Sequence, residues 1–194
     1  LISLVQQYRQ AEPIIMFKNK KGMANYRCVI AKFKNDSFDR NSLAKNQPLK
    51  IALTQPLSTC GYLMTGRLLK EQFSIDLKQQ QFRYTMSHSN ALLSVVKGEF
   101  LLAGAKDSIA RQFESLGMEI IAQSELLPGF SLVVNKKSLS QKQIDAIRHT
   151  LLNVPKEIYS HWDGPPANGM TAASIADYDS LNTMIDIPQQ GNIK

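Results

Sequence analysis

The sequence predicts an α/β fold with largely parallel sheets. Two observations support this prediction: short apolar or β-branched runs alternate with amphipathic segments along the chain, and small polar residues such as Ser, Thr, Gly and Asp follow several of the apolar runs. Such turns at strand ends are typical of sheets whose strands feed into helices.

Six segments are short and apolar or β-branched, as strands are. The predicted strands are Ile14 to Phe17, Cys28 to Phe33, Leu49 to Thr54, Gln81 to Met86, Phe100 to Ala105 and Phe130 to Val134. Four segments have apolar residues at helical spacing or a capped start. The predicted helices are Tyr62 to Gln72, Asn90 to Lys97, Ser108 to Leu116 and Gln141 to Val154.

The remaining segments are predicted to be connections or incomplete elements. The polar stretch from Asn35 to Pro48 is typical of a surface connection, and the Gly- and Pro-rich stretch from His161 to Met170 is typical of a loop. The chain opens on Leu1 rather than Met, inside the apolar run Leu1 to Val5. We therefore expect that run to be a strand and the natural beginning to lie upstream.

Composition narrows the function class only moderately. The chain has 194 residues, 43% of them hydrophobic, and a formal net charge of +7, which suits an anionic partner. The basic residues are not interleaved with aromatic residues, so no nucleic-acid partner is predicted. No apolar run reaches the roughly 18 residues of a membrane span, and no cofactor or metal motif is present. Cys28 and Cys60 are too few for a disulfide framework, and the sequence leaves their pairing open.

The segment from Lys50 to Thr65 is the most informative in the chain. An apolar strand leads through Pro56 into Ser58 and Thr59, which precede an amphipathic helix. The first N–H groups of a helix lack helical partners, and hydroxyl groups at the cap add donors, so such a terminus can bind an anion. The nearest downstream cation, Arg67, lies beyond the first turn, which predicts recognition by hydrogen bonds. An ordinary N-cap is the alternative interpretation.

Short motifs along the whole chain resemble those of the phosphate- and phosphonate-binding branch of the periplasmic substrate-binding proteins that serve ABC transporters. The motifs are Asn25-Tyr-Arg-Cys-Val-Ile-Ala31, Pro56-Leu-Ser-Thr-Cys-Gly-Tyr62, Ser87-His88 followed by Ala91 to Glu99, Ala103-Gly-Ala-Lys-Asp-Ser108, Ser124-Glu-Leu-Leu-Pro-Gly129 and Ala176-Asp-Tyr-Asp179. The resemblance implies a type II periplasmic-binding-protein fold, in which two α/β lobes are joined by a two-strand hinge. The first lobe would be incomplete at its N-terminus.

The resemblance also implies a domain division and a site. Lobe I would comprise residues 1–32 and 127–194, and lobe II residues 33–126. Three turns of lobe II would meet at the cleft between the lobes, because ligands of open α/β sheets bind beyond the carboxyl ends of the strands. The predicted ligand-binding residues are Ser58, Thr59, Cys60, Gly61, Ser87, His88, Asp107 and Ser108.

His88 and Cys60 carry the chemistry that distinguishes the alternatives. His88 could donate to a ligand oxyanion as an imidazolium, since its ordinary pKa near 6.5 lets an anion favour the protonated form. Cys60 stands where the resembling motif usually has Ser, and a thiol is a weak donor. A cysteine at a helix N-terminus could alternatively be a nucleophile, so a Cys-His-Asp hydrolase built from Cys60, His88 and Asp107 is a remote alternative.

The resemblance predicts a binding protein rather than an enzyme. It would capture a small oxyanion outside the cytoplasm, by lobe closure, and deliver it to the membrane permease of an ABC transporter. The ligand-sensing domain of a membrane-bound signalling protein is the second interpretation.

The resemblance also bears on the ligand. Family members that bind aminoalkyl phosphonates hold the ammonium group of the ligand with acidic residues, and Ser108 and Phe130 occupy the closest positions here. We therefore expect phosphate, phosphite, an alkylphosphonate or an unrelated small anion rather than aminoethylphosphonate.

Overall fold

The computed structural model describes residues 10–38 and 48–184, with side chains described up to residue 179. The described residues form two compact units, residues 10–26 with 126–184 and residues 27–38 with 48–125. The chain thus passes between the units at residues 26/27 and again at 125/126. The corresponding sequence-based boundaries were 32/33 and 126/127, and the assignment of these units to lobes stays a prediction.

The larger unit is built on a five-stranded sheet with the order β5-β4-β6-β3-β7. The strands are β3 (Cys28–Phe33), β4 (Lys50–Leu53), β5 (Gln81–Tyr84), β6 (Leu102–Lys106) and β7 (Met118–Gln123). Strand β4 is parallel to β5 and β6, whereas β3 is antiparallel to both β6 and β7. The prediction of largely parallel sheets is therefore wrong for the half of this sheet that contains β3 and β7.

Helices cover this sheet and begin at capped turns. A π-helical turn, Thr59–Leu63, continues into α1 (Met64–Phe73), while α2 (His88–Val96) starts after Ser87. The short α3 (Asp107–Ala110) continues as the 3₁₀ helix Arg111–Leu116, and a further 3₁₀ turn covers Leu77–Gln79. One core cluster joins the sheet to α2 and α3. It includes Val29, Ala52, Leu92, Val95, Ala103 and Ala110.

The smaller unit has a three-stranded antiparallel sheet with the order β10-β1-β9. Its strands are β1 (Ala11–Phe17), β9 (Ser131–Asn135) and β10 (Met170–Ala172). A separate pair consists of β2 (Asn25–Tyr26) and β8 (Leu127–Pro128). The helices are α4 (Gln141–Leu152), α5 (Lys156–Tyr159) and the 3₁₀ segments Pro165–Asn168 and Ile175–Met184. A core of Ile14, Ile15, Val134 and Ile144 packs α4 on the sheet.

The six predicted strands between Ile14 and Val134 and the four predicted helices all have counterparts in the structure, with ends displaced by a few residues. The strands β2, β7, β8 and β10 were missed, and the predicted loop from His161 to Met170 contains a 3₁₀ turn. The predicted strand Leu1 to Val5 and most of the connection from Asn35 to Pro48 lie outside the described residues. Among the helices in the part that is described, none combines the length and apolarity needed to cross a bilayer.

Candidate functional site

Three turns lie at the carboxyl ends of the parallel strands β5, β4 and β6. Register places Leu53 of β4 beside Tyr84 of β5, and Ala52 beside Ala103 of β6, so the turns that follow these strands are neighbours. The backbone N–H of Met86 donates to the carbonyl of Thr54 over 2.7 Å and joins the first two turns directly. The turns are therefore neighbours within the larger unit, at the sheet edge where α/β proteins commonly bind ligands, and their meeting at a cleft between lobes stays a prediction.

Ser58 caps the helix that follows β4. Its hydroxyl oxygen accepts the N–H of Gly61 over 3.1 Å, and its carbonyl accepts the N–H groups of Tyr62 and Leu63. Within the described chain, the backbone N–H groups of Thr59 and Cys60 have no hydrogen-bond partner. They are the first two donors of the helix, and the helix dipole makes this end electropositive. The terminus can therefore donate two backbone hydrogen bonds to an anion.

The helix terminus lies directly on the end of β4. A Cβ atom at Gly61 would be 2.0 Å from the Thr54 hydroxyl oxygen, so only glycine fits at this position. That oxygen is buried and has no hydrogen-bond partner in the described structure. A similar close approach occurs at Gly104 of β6, where a Cβ atom would be 1.9 Å from the hydroxyl oxygen of Thr65. Two glycines thus allow the helix to approach the sheet closely beneath the free N–H groups.

Cys60 forms a disulfide with Cys28, the first residue of β3. Both side chains are buried. Cys60 consequently has no thiol that could donate to a ligand or attack a substrate, which corrects both roles considered for its side chain. Only its backbone N–H remains for the ligand contact predicted at this position. The Cys-His-Asp hydrolase alternative is wrong, since its nucleophile does not exist in this structure.

Ser87 and His88 begin the helix that follows β5. The Ser87 hydroxyl oxygen accepts the N–H of Asn90 over 3.1 Å, and His88 is the first helical residue. Burial and the positive charge of Lys106 lower the pKa of His88, while its contact with the backbone of Gly104 acts in the opposite direction. Its Nδ1 atom is buried without a hydrogen-bond partner of ordinary geometry in the described residues. The ring is thus held near the site, with its neutral form favoured.

Asp107 and Ser108 differ from the other predicted site residues. The Asp107 carboxylate pairs with Arg111 over 3.0 Å and accepts a hydrogen bond from the side chain of Gln123 over 3.1 Å. Ser108 is exposed, and its carbonyl oxygen accepts a hydrogen bond from Gln112. The structure therefore shows that the Asp107 carboxylate is already engaged by its own helix and by β7.

Sequence reasoning placed Ser58, Thr59, Gly61 and His88 in turns that the structure brings together, but it missed three neighbours. Thr54 lies under the helix terminus, Gly104 contacts His88, and the charge of Lys106 acts on the same imidazole. Burial lowers the pKa of Lys106. A signal existed for two of them, because Thr54 follows β4 and Lys106 ends β6, whereas Gly104 lies in the middle of β6. Arg67, by contrast, pairs with Glu71 and Glu125.

A family model described as "ABC transporter, phosphonate, periplasmic substrate-binding protein" matches residues 1–178. No curated protein matches the chain. Solved structures with the same fold include a binding protein component of an ABC phosphonate transporter from Pseudomonas aeruginosa. It is 18% identical, with a TM-score of 0.63, and the match covers 90% of this chain and 61% of that one.

Two further structures share the fold at 14% identity. PhnD1 from Prochlorococcus marinus, in complex with methylphosphonate, matches 92% of this chain and 71% of its own with a TM-score of 0.64. A protein from Xanthomonas citri bound to a chloride ion matches 93% of this chain and 71% of its own with a TM-score of 0.69. The chain spans about three fifths of the Pseudomonas protein, as the 61% coverage shows. These likenesses agree with the predicted type II periplasmic-binding-protein fold.

Proposed function

Because this chain belongs to the periplasmic substrate-binding proteins of ABC phosphonate transporters, we propose that it captures a small oxyanion for delivery to a membrane permease. The proposed ligand class is phosphate, phosphite or an alkylphosphonate. Proteins of this family bind solutes and are not enzymes, in agreement with the prediction from sequence. The proposal concerns the whole protein. This chain covers 61% of the Pseudomonas relative.

The observation that carries the proposal is the helix terminus at Ser58. Two adjacent backbone N–H groups, those of Thr59 and Cys60, lack partners in the described chain, and the Ser58 hydroxyl accepts a bond from Gly61. The Ser58 proton is therefore available for donation, as is that of Thr59. N–H and O–H donors at a positive helix end suit the oxygens of a phosphoryl group in chemistry.

His88 and Lys106 supply the second part of the proposed site. Both are held near the end of β6, and the positive charge of Lys106 lowers the pKa of the imidazole. A bound anion would oppose that effect, because a negative charge stabilises the imidazolium. We therefore propose that the ligand increases the protonation of His88, so that the dissociation constant rises with pH.

We propose that capture includes a movement of the two units about the segments where the chain crosses twice, at residues 26/27 and 125/126. In such a mechanism the ligand stabilises the state in which it has the most contacts, and the permease responds to that state. An extracytoplasmic location is proposed with it. The buried disulfide supports this location, since disulfides persist in oxidising compartments.

The test is calorimetry of the full-length protein with phosphate and methylphosphonate, before and after the double change Ser58→Ala and Thr59→Ala. The variant should lose binding, while its free energy of unfolding falls by only about 1 kcal/mol, the cost of a lost cap. Ser140→Ala is the matched control, because the Ser140 hydroxyl oxygen caps α4 in the smaller unit by accepting the N–H of Gln143, while the Ser140 N–H donates to the Gln143 side-chain oxygen. It should lose a similar stability and retain its affinity. Unchanged affinity in the double variant would overturn the assignment.

A further inference from the structure

The Cys28–Cys60 disulfide joins two places that are 32 residues apart in the chain. Cys28 is the first residue of β3, and Cys60 is the second residue of the π-helical turn that presents the free N–H groups. The two Cα atoms are 4.9 Å apart, and the side chains are 0% and 3% exposed. The bridge thus lies beneath the candidate anion-binding turn, residues 58–61, rather than on the surface.

The Cys28 end of the bridge is firmly held within the larger unit. The N–H of Cys28 donates to the hydroxyl oxygen of Ser124, and its carbonyl accepts the N–H of Ser124 over 2.9 Å. The guanidinium of Arg27 donates to the Ser124 carbonyl over 2.6 Å, and the Arg27 carbonyl accepts the N–H of Asp107. Residues 27 and 28 are therefore fixed to segments that adjoin both β7 and β6.

The Cys60 end has fewer restraints of its own. The segment Gln55 to Leu57 is exposed, and Leu57 has a φ of +63°, which is unfavourable for a residue with a side chain. Besides its close packing on Thr54 and Gly104, the turn is attached to the sheet by a 3.3 Å hydrogen bond from the N–H of Thr54 to the carbonyl of Gly61. A covalent tie here restricts the turn much more than that bond does.

We propose that the Cys28–Cys60 disulfide is a positioning element that fixes the anion-binding turn to the start of β3. The expected effect of the disulfide on ligand affinity rests on the proposed function. Donors that are already fixed lose little conformational entropy on binding, so the oxidised protein should bind more tightly than the reduced one. Reduction by a dithiol breaks the S–S bond and forms two cysteine thiols. The dithiol supplies both electrons and both protons and becomes a cyclic disulfide.

The primary test measures amide hydrogen exchange in the full-length protein, oxidised and after reduction by a dithiol. The N–H groups of Gly61, Tyr62 and Leu63 should exchange about tenfold faster after reduction. The start of α2 is the matched internal control, because Asn90 and Ala91 follow an equivalent serine cap that has no disulfide. Their exchange should change less than about twofold. The double variant Cys28→Ser and Cys60→Ser should reproduce the result if the buried bridge resists the reagent.

Three outcomes would be decisive. Unchanged exchange at residues 61–63 would overturn the positioning role, and equal acceleration at α2 would show that the bridge only stabilises the whole unit. The second measurement is the dissociation constant for methylphosphonate, which should rise about tenfold on reduction and return on reoxidation. If the oxidised protein binds neither methylphosphonate nor phosphate, the proposed function fails, while the exchange experiment still decides the role of the bridge.

Discussion

The two serine-capped helix termini of the larger unit share a local design and differ in what supports them. Each follows one of the adjacent parallel strands β4 and β5, and each serine oxygen accepts the third helical N–H over 3.1 Å. The residue before each cap, Leu57 or Met86, has a positive φ of 63° or 71°. The backbone thus makes the same turn twice.

The differences begin at the first residues of the two helices. The Ser58 terminus continues with Thr59, the disulfide-bonded Cys60 and Gly61, and Gly61 packs closely on Thr54. The Ser87 terminus instead begins with the titratable His88. One terminus therefore offers fixed neutral donors, and the other offers a group whose charge depends on pH. The comparison shows that a cap motif alone does not determine the chemistry of a helix terminus, because the neighbouring strands decide what packs against it.

The largest loss of stability should come from disrupting the packing at the Ser58 terminus. Gly61→Ala places a Cβ atom 2.0 Å from the Thr54 hydroxyl oxygen and 2.6 Å from its methyl carbon. Overpacking of this kind should lower the free energy of unfolding by about 1–3 kcal/mol, measured by urea denaturation. The corresponding position of the second terminus is Asn90, which has room for a side chain that bonds to the Thr85 carbonyl.

Gly66→Ala is the matched control on the same helix. Its Cβ would approach only the Leu77 side chain, with the flexible Cδ2 at 3.3 Å and Cβ at 3.8 Å. Its stability should stay within about 1 kcal/mol of the wild-type value, since alanine is the better helix former. Equal losses in the two variants would mean that the first terminus does not depend on its close approach to Thr54.

A smaller effect should distinguish ligands at the third strand end, after β6. Asp107 is engaged by Arg111 and Gln123, Ser108 carries no charge, and Phe130 of the smaller unit is apolar. A buried ammonium without a carboxylate partner is unfavourable, so aminoethylphosphonate should bind about tenfold more weakly than ethylphosphonate. Competition calorimetry against phosphate measures the ratio. A preference for the amine would reveal an acidic partner among other residues of the protein.

The smallest effect should be the pH dependence of stability that arises from His88 at the Ser87 terminus. The folded-state pKa of His88 is lowered, chiefly by burial and then by Lys106, so the unfolded chain binds more protons as the pH falls below about 6.5. The wild-type protein should therefore lose stability in that range, and His88→Gln should reduce the loss. Urea denaturation at several pH values measures it. His149→Gln, at an exposed position of α4, is the control and should retain the wild-type slope.

Several parts of the candidate site could be predicted from local sequence. Ser58 and Ser87 precede amphipathic runs, and a side-chain oxygen at that position caps a helix regardless of distant residues. Strand β7 was missed because Met118–Gln123 mixes Glu and Gln with apolar residues, and its burial depends on pairing with β3. The antiparallel placement of β3 was missed for the same reason, since the direction of pairing is not encoded in the alternation of elements.

The sequence by itself determined the order of the six strands and four helices that it predicts with bounds, the serine caps at Ser58 and Ser140, and the turn that presents the N–H groups of Thr59 and Cys60. These features depend on neighbours within a few residues. Only the tertiary structure decided that Cys60 pairs with Cys28, that Asp107 is held by Gln123, and that Gly104 and Lys106 adjust the pKa of His88. These contacts join residues that are 16 to 32 positions apart, as the pairs 107/123 and 28/60 show. They form only when the sheet aligns the ends of its strands.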